Sequence, residues 1–202
     1  MTQKPTGHKA KQIVLASASP RRNELLAGLG LKFEVEPSQV TEKAYADEAP
    51  HDYIMRIARA KAVAVARRRD CGLVIAADTE VVLDGKVLGK PRDHEDAKRM
   101  LRLLSGKWHA VMTGVALYYV DTGKEAVDYA KTLVRLANLS EEEIDWYVAT
   151  GEPMDKAGSY AIQGLASLFV DEIAGNYHNV VGLPIPLLYR LARQLGCNLV
   201  AG

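Results

Sequence analysis

The sequence predicts an α/β fold with a mixed sheet, on three observations. Short apolar β-branched runs alternate with helical patterns in the first half, hairpin signals crowd the middle, and the last third returns to mixed elements. Alternation kept up throughout would give a purely parallel, doubly wound sheet, whereas the central hairpins require antiparallel pairing. The elements follow in order. "IVLAS" (13–17) is a buried strand, and Ser19 then caps a helix whose first position is Pro20 and whose end is marked by Gly28 and Gly30. "KFEVEP" (32–37) alternates as a second strand, and "SQVTEKAYADEAP" is the longest candidate loop in the first half. From Asp52 to about Arg69 a helix gathers Ile54, Ile57, Ala58, Ala62 and Val65 on one face.

"GLVIAADTEVVLDGKVLGKP" (72–91) opens as a buried strand and turns back at Asp84-Gly85, a type I′ pair. Asp93 caps a helix through Leu104, with Glu95 and Asp96 in its first turn and Gly106 after its end. "WHAVMTGVALYYV" (108–120) pairs across "DTGKE" with "AVDYAKTLVRL" (126–136). Ser140 and Glu143 form a capping box for a helix reaching about Ala149. "SYAIQG" and "SLFVDEI" read as further strands, and a last helix runs from about Pro186 to Leu195. Trp108 and Trp146 are expected in the core or between lobes. Residues 1–11 read as a flexible tail, and 12–202 as one domain of two lobes sharing a sheet.

Composition narrows the function classes. The 202 residues are 48% hydrophobic and 25% charged, with 26 basic against 25 acidic side chains and a net charge of +1. Such balance gives no global electrostatic case for nucleic acid or an anionic membrane, so any basic site is local. "RRRD" (67–70) is expected to be solvated capping of a helix C-terminus, where the dipole favours cations. Cys71 and Cys197 lack metal or redox spacing and read as reduced core-type cysteines. No run has the length of a membrane span, and the N-terminus lacks the apolar stretch of a signal peptide, so a cytoplasmic location is expected.

Two anomalies carry chemistry. Arg21 and Arg22 stand in the first turn after Ser19-Pro20, at the positive end of the helix dipole, where each cation forfeits roughly 0.3–1 kcal/mol. A strand, a tight turn of small residues (Ser17, Ala18, Ser19) and a helix N-terminus make an anion site, and two guanidiniums suit phosphate oxygens. The alternative is a surface pair at a helix start. The segment is not a P-loop. Asp78 is the second anomaly: "VIAADT" drives a carboxyl to the end of an apolar strand, where α/β proteins place ligands. There an Asp binds a metal, acts as a base, or caps a turn.

Lys61, Lys90 and Lys156, each taken alone, read as solvated cations. Gln163 is either a base-reading amide or a satisfied buried one. The five histidines show no metal-ligand pairing and read as structural or surface residues, and no GxSxG elbow or Cys–His signature suggests covalent catalysis.

In series, "LASASPRRNELL", "IARAKA", "AADTEVVLDGKVLGKPRD", "MLRLLSGKWHAVMTGVAL", "GEPMDKAGSYAIQG" and "GNYHNVVGLP" resemble the Maf family of nucleoside triphosphate pyrophosphatases, historically described as septum-formation inhibitors. The resemblance covers nearly all of the chain after residue 12. It implies a two-lobed fold like that of the inosine-triphosphate pyrophosphatases, with an elongated mixed sheet flanked by helices and a central cleft. It also implies metal-dependent hydrolysis between the α- and β-phosphates, with Mg²⁺ or Mn²⁺ as the cofactor. By motif position Asp78 falls on the proton acceptor, and Ser17, Arg21, Arg22, Lys61, Lys90 and Lys156 fall on cleft-lining positions. Glu42, with Asp78, falls on an acidic position suited to the metal. "DKAGSYAIQG" and "NYHNVVGLP" resemble the dTTP/UTP branch more than the 7-methyl-GTP branch, and its specificity positions fall on Arg21, Thr79 and Gln163. The resemblance further implies a homodimer with a nucleoside triphosphate substrate and no nucleic-acid or membrane partner. A non-enzymatic nucleotide-binding regulator of septum formation is the rival reading.

Overall fold

Among residues 12–199, which the computed structural model describes, seven strands form one mixed sheet. The strands are β1 (Ile13–Leu15), β2 (Glu34–Val35), β3 (Leu73–Leu83), β4 (Lys86–Val87), β5 (Trp108–Tyr119), β6 (Lys124–Leu136) and β7 (Val170–Ala174). Their order is β2-β1-β3-β5-β6-β7, with β4 paired to β3. Pairing is parallel between β1 and both β2 and β3, and antiparallel from β3 onward. The helices are α1 (Pro20–Ala27), α2 (Pro50–Ala66), α3 (His94–Leu104), α4 (Glu141–Ala149), α5 (Tyr177–Val181) and α6 (Ile185–Gln194). The segment expected to be a flexible tail, residues 1–11, lies outside the described residues.

One edge of β3 is interrupted, and the interruption positions the site. Strand β5 covers the other edge continuously from Leu73 to Val82. On the interrupted edge β1 pairs only with Leu73, Val74 and Ile75, and β4 pairs only with Val82 and Leu83. The last bond on one side is Ala16 N–H to Ile75 O (2.8 Å), and the first on the other is Leu88 N–H to Val81 O (2.9 Å). Between them β3 runs past a gap in the sheet, and Asp78 and Thr79 lie within it. The chain leaves β1 through Ser17-Ala18-Ser19 at this gap and enters α1.

Burial on both faces keeps the gap walled. Odd-numbered residues of β3 (Leu73, Ile75, Ala77) join Leu187, Leu188 and Leu191 of α6 in one cluster. Even-numbered ones (Val74, Ala76) meet Ala58, Ala62 and Val65 of α2. That second contact is built from small side chains, so α2 rides close to the sheet: a Cβ on Gly114 would stand 2.5 Å from Ile54 O. Farther along, α3 and α4 cover Val81, Val111 and Val134 together with Tyr160 and Phe169.

Most elements fall where the pattern places them, with four corrections. "SYAIQG" is not a strand: Ala157–Ser159 form a 3₁₀ turn, and Gly158 (φ 66°) and Ser159 (φ 61°) are left-handed, which no strand accommodates. Tyr160, Ala161 and Ile162 are buried by side-chain packing rather than by pairing. In "SLFVDEI" only Val170 onward is strand, after a 3₁₀ turn at Leu165–Phe169. Helix α2 spans Pro50–Ala66, and Arg68 and Arg69 bind Glu36 and Glu34 instead of capping carbonyls. Trp108 and Trp146 are 42% and 47% exposed and not core residues; Trp146 rests edge-on against Phe169. Cys71 and Cys197 are unpaired, as expected.

Candidate active site

The gap opens into a cleft of about 360 Å³, and every residue singled out by the sequence lines it. Ser17, Arg21 and Arg22 come from the β1–α1 turn, Glu42 from the long loop, Lys61 from α2, and Asp78 and Thr79 from β3. Lys90, Lys156 and Gln163 come from the segments after β4 and around the 157–159 turn.

Arg22 is a joint as well as a cation. Ser19 accepts from its backbone N–H (3.5 Å), the N-cap bond that fixes the turn. Its guanidinium donates Nε–H to Gly182 O (2.9 Å), Nη1–H to Ser17 Oγ (3.2 Å) and Nη2–H to Thr79 Oγ1 (3.0 Å). It thereby ties α1, β1, β3 and the end of α5 together. Burial pushes its pKa down, while Asp78 and Glu42 pull it back up. Three of five donors serve the protein, and two N–H bonds remain for a ligand.

Lys61 sits between two carboxyl groups, with Nζ 2.7 Å from Asp78 Oδ1 and 2.6 Å from Glu42 Oε1. Lys61 and Asp78 are 7% and 4% exposed, so this ammonium is not the solvated cation it would be in isolation. Burial pushes the Glu42 carboxyl up, but its hydrogen bond to Lys61 and the charges of Lys61, Lys90 and Arg22 bring it net below the ordinary value. Asp78 Oδ2 is buried and has no hydrogen-bond partner. A buried acceptor without a partner costs on the order of 1–3 kcal/mol, and here it belongs to a residue of the cleft wall. Among the described residues no group of three or more His, Cys, Asp or Glu side chains is arranged to hold a metal ion.

Three features escaped the sequence reading. Glu80 lies two residues beyond Asp78 on the same face of β3, its Oε2 buried without a partner. Burial, then the charges of Asp78 and Glu42, push its pKa up to about 8. Alternation along β3 was the available signal. Second, Tyr160 lines the cleft, and its hydroxyl lies 2.7 Å from Nε2 of the buried His109. Third, Lys156 is ion-paired with its neighbour Asp155, another cleft residue.

Comparison with known proteins completes the description. Residues 12–195 match the family described as Maf-like protein. The chain is 52% identical over 189 residues to a dTTP/UTP pyrophosphatase of Anaeromyxobacter dehalogenans, covering 93% of this chain and 95% of the relative. It is 50% identical over 190 residues to the dTTP/UTP pyrophosphatase of Desulforamulus reducens (94% and 100%), and 48% identical over 192 residues to that of Bacillus cereus (95% and 94%). Among solved structures, the Staphylococcus aureus Ham1 protein aligns with a TM-score of 0.55 at 14% identity, covering 92% of this chain and 100% of that one, a likeness of fold alone. Matched over residues 12–195 and about half identical to these relatives over nearly its whole length, the chain belongs to the Maf-like protein family.

Proposed function

We propose that this protein hydrolyses dTTP and UTP, with modified pyrimidine triphosphates, to the nucleoside monophosphate and pyrophosphate. The observation that carries the reading is the gap in β3: it sets Asp78, whose buried Oδ2 has no partner, on the wall of a cleft that Arg21, Arg22, Lys90 and Lys156 also line. A highly charged anion suits that wall, and the relatives named dTTP/UTP pyrophosphatase support the substrate class.

In the proposed mechanism the triphosphate lies against the SPRR turn. The two remaining Arg22 N–H bonds, Arg21, Lys90 and Lys156 hold its oxygens and offset charge that builds on the leaving group. Asp78 Oδ2 accepts a hydrogen bond from the attacking water. The water oxygen bonds to the α-phosphorus, the bond from that phosphorus to the bridging oxygen breaks, and pyrophosphate leaves with the bridging oxygen. Asp78 takes the proton and returns it to solvent. Lys61 holds Asp78 by Oδ1, which leaves Oδ2 to face the reaction.

A divalent cation fits the site in one way only. With two carboxyl groups at hand, a resident ion would lack ligands, whereas Mg²⁺ or Mn²⁺ brought with the triphosphate would need only these two from the protein. Glu42 and Asp78 would hold it, and the orphaned Asp78 Oδ2 is the observation in favour. Such an ion would supply charge neutralisation on the phosphates. Gln163, an exposed residue of the cleft lining, reads the pyrimidine.

The reading takes residues 12–202 as one two-lobed unit acting as a homodimer in the cytoplasm, without nucleic-acid or membrane partners. Balanced charge supports it, as does the lack, among the described residues, of any helix long and apolar enough to cross a membrane. Pyrophosphate release from a panel of pyrimidine and purine triphosphates, 7-methyl-GTP included, with Mg²⁺ or Mn²⁺ tests it. Release from dTTP and UTP above the others is expected. Binding without release would favour a regulator, and preference for 7-methyl-GTP would move the chain to that branch.

A further inference from the structure

A buried chain of hydrogen bonds runs away from the site behind Arg22. Thr79 and Thr113 are register partners on β3 and β5, with their Oγ1 atoms 2.9 Å apart. Thr113 is fully buried, and its hydroxyl donates to Asn179 O at 3.1 Å. A threonine hydroxyl has one hydrogen. With Thr113's hydrogen committed to Asn179, the 2.9 Å contact is filled by the Thr79 hydrogen, and Thr79 Oγ1 is left to accept from Arg22 Nη2–H. The shorter contacts set the direction of the series, since the other acceptor for Thr79, Gly182 O, lies at 3.5 Å: Arg22 to Thr79, Thr79 to Thr113, Thr113 to the α5 backbone.

The series closes on itself. Helix α5 receives Thr113 at Asn179 O and Arg22 at Gly182 O, so the C-terminal carbonyls of one short helix anchor both ends. The helix is in turn pinned to the sheet, because Asn179 Nδ2 donates to Val111 O (2.9 Å) and to Thr132 Oγ1 (3.0 Å). Gly182 (φ 121°) holds a backbone conformation that L side chains rarely adopt, and in it the carbonyl meets Arg22 Nε–H.

We infer that Thr113 is a positioning residue for Arg22, acting through Thr79 to hold the guanidinium so that its two remaining N–H bonds face the cleft. The inference rests on the reading of Arg22 as a phosphate ligand. Thr113 itself lies behind the cleft wall and touches no substrate. Without its hydroxyl, the Thr79 hydrogen turns to its other acceptor, Gly182 O at 3.5 Å, and there competes with Arg22 Nε–H. Two of the guanidinium's three fixed partners, Thr79 Oγ1 and Gly182 O, are then loosened together, and Ser17 Oγ alone stays as it was.

The test compares full-length wild type with Thr113→Val, which keeps the shape and removes the hydroxyl, and with Thr113→Ser, which keeps the hydroxyl and removes the methyl. Solvent exchange of the Arg22 Nε–H, followed by NMR, is expected to quicken at least tenfold in Thr113→Val and to stay near wild type in Thr113→Ser. In parallel, KM for dTTP and the inhibition constant of pyrophosphate are expected to rise about tenfold in Thr113→Val, the scale of one weakened charge-assisted bond, while kcat moves less. Unchanged exchange and unchanged pyrophosphate inhibition in folded Thr113→Val, with only a lower Tm, would overturn the inference. If Thr113→Val does not fold, Thr113→Cys, of similar size with a weak acceptor, is read by the same two measurements. Failure of the wild type to release pyrophosphate from any triphosphate would overturn the catalytic reading instead, and the exchange measurement would still judge Thr113.

Discussion

Lys61 Nζ lies 2.7 Å from Asp78 Oδ1, and neither side chain has appreciable contact with solvent. The pair divides the labour of one carboxyl group: Oδ1 is fixed by the ammonium while Oδ2 has no partner. Helix α2 delivers Lys61 to that point because its alanine face packs close to the sheet. The asymmetry predicts that Asp78→Asn, which keeps size and removes the proton acceptor, lowers kcat by a factor on the order of 10²–10⁴. Triphosphate binding, measured by calorimetry, is expected to persist. Near-normal turnover with intact binding would remove Asp78 from the chemistry.

Gln163 is an exposed residue of the cleft lining, just past the 157–159 turn. An amide there can match the carbonyl and N–H edge of uracil or thymine and mismatch cytosine. Gln163→Ala is expected to lower the dTTP-to-dCTP ratio of kcat/KM by about tenfold or more, since a lost polar contact to a base edge is a discriminating one. The Tm should hold, because the side chain is solvated. An unaltered ratio would disconnect Gln163 from base recognition.

Glu80 shares a face of β3 with Asp78 but lies outside the cleft lining. Its buried Oε2 has no partner, and the Glu80 carboxyl faces the negative charges of Asp78 and Glu42. Val suits this strand better in shape and charge. Glu80→Val is expected to stabilise the fold by about 1 kcal/mol, or ~2–4 °C in Tm for a domain of this size, as read by thermal unfolding at pH 7.5. A lower Tm would show that the carboxyl has a structural task.

Legibility followed chemistry more closely than geometry. The SPRR turn and Asp78 stood out because each breaks a local rule, a cation at a positive helix end and a carboxyl in an apolar strand, and the cleft resolves both. Family resemblance added Glu42 and Thr79, which no local pattern marks, and settled on one of the two roles left open for Gln163. "SYAIQG" was misread because burial and strand propensity give the same apolar signal; its left-handed Gly158 and Ser159 are set by packing against α3 and β3. The double duty of Arg22 was not legible either, since Gly182 is 160 residues away in the chain. Glu80 drew no reading from the sequence, because its burial depends on α2 covering that face of β3, a long-range contact that no local pattern encodes.

His109 supplies a pH dependence of stability separate from the chemistry. Burial pushes its pKa from 6.5 down to about 4, and its Nε2 lies 2.7 Å from the Tyr160 hydroxyl. The folded protein therefore keeps the ring neutral at pH values where the unfolded chain protonates it. Stability from this residue is complete above pH 6.5 and is lost as pH falls toward 4. The slope approaches ~1.4 kcal/mol per pH unit for one proton. Urea unfolding of wild type and His109→Gln between pH 7.5 and 5 isolates the effect as a difference, because the Glu80 carboxyl, raised to about 8 and acting in the opposite direction over the same window, titrates alike in both proteins. Relative to His109→Gln, which is able to bond Tyr160 without titrating, the wild type is expected to lose stability progressively below pH 6.5. Parallel curves for the two proteins would mean that the ring does not stay neutral in the fold.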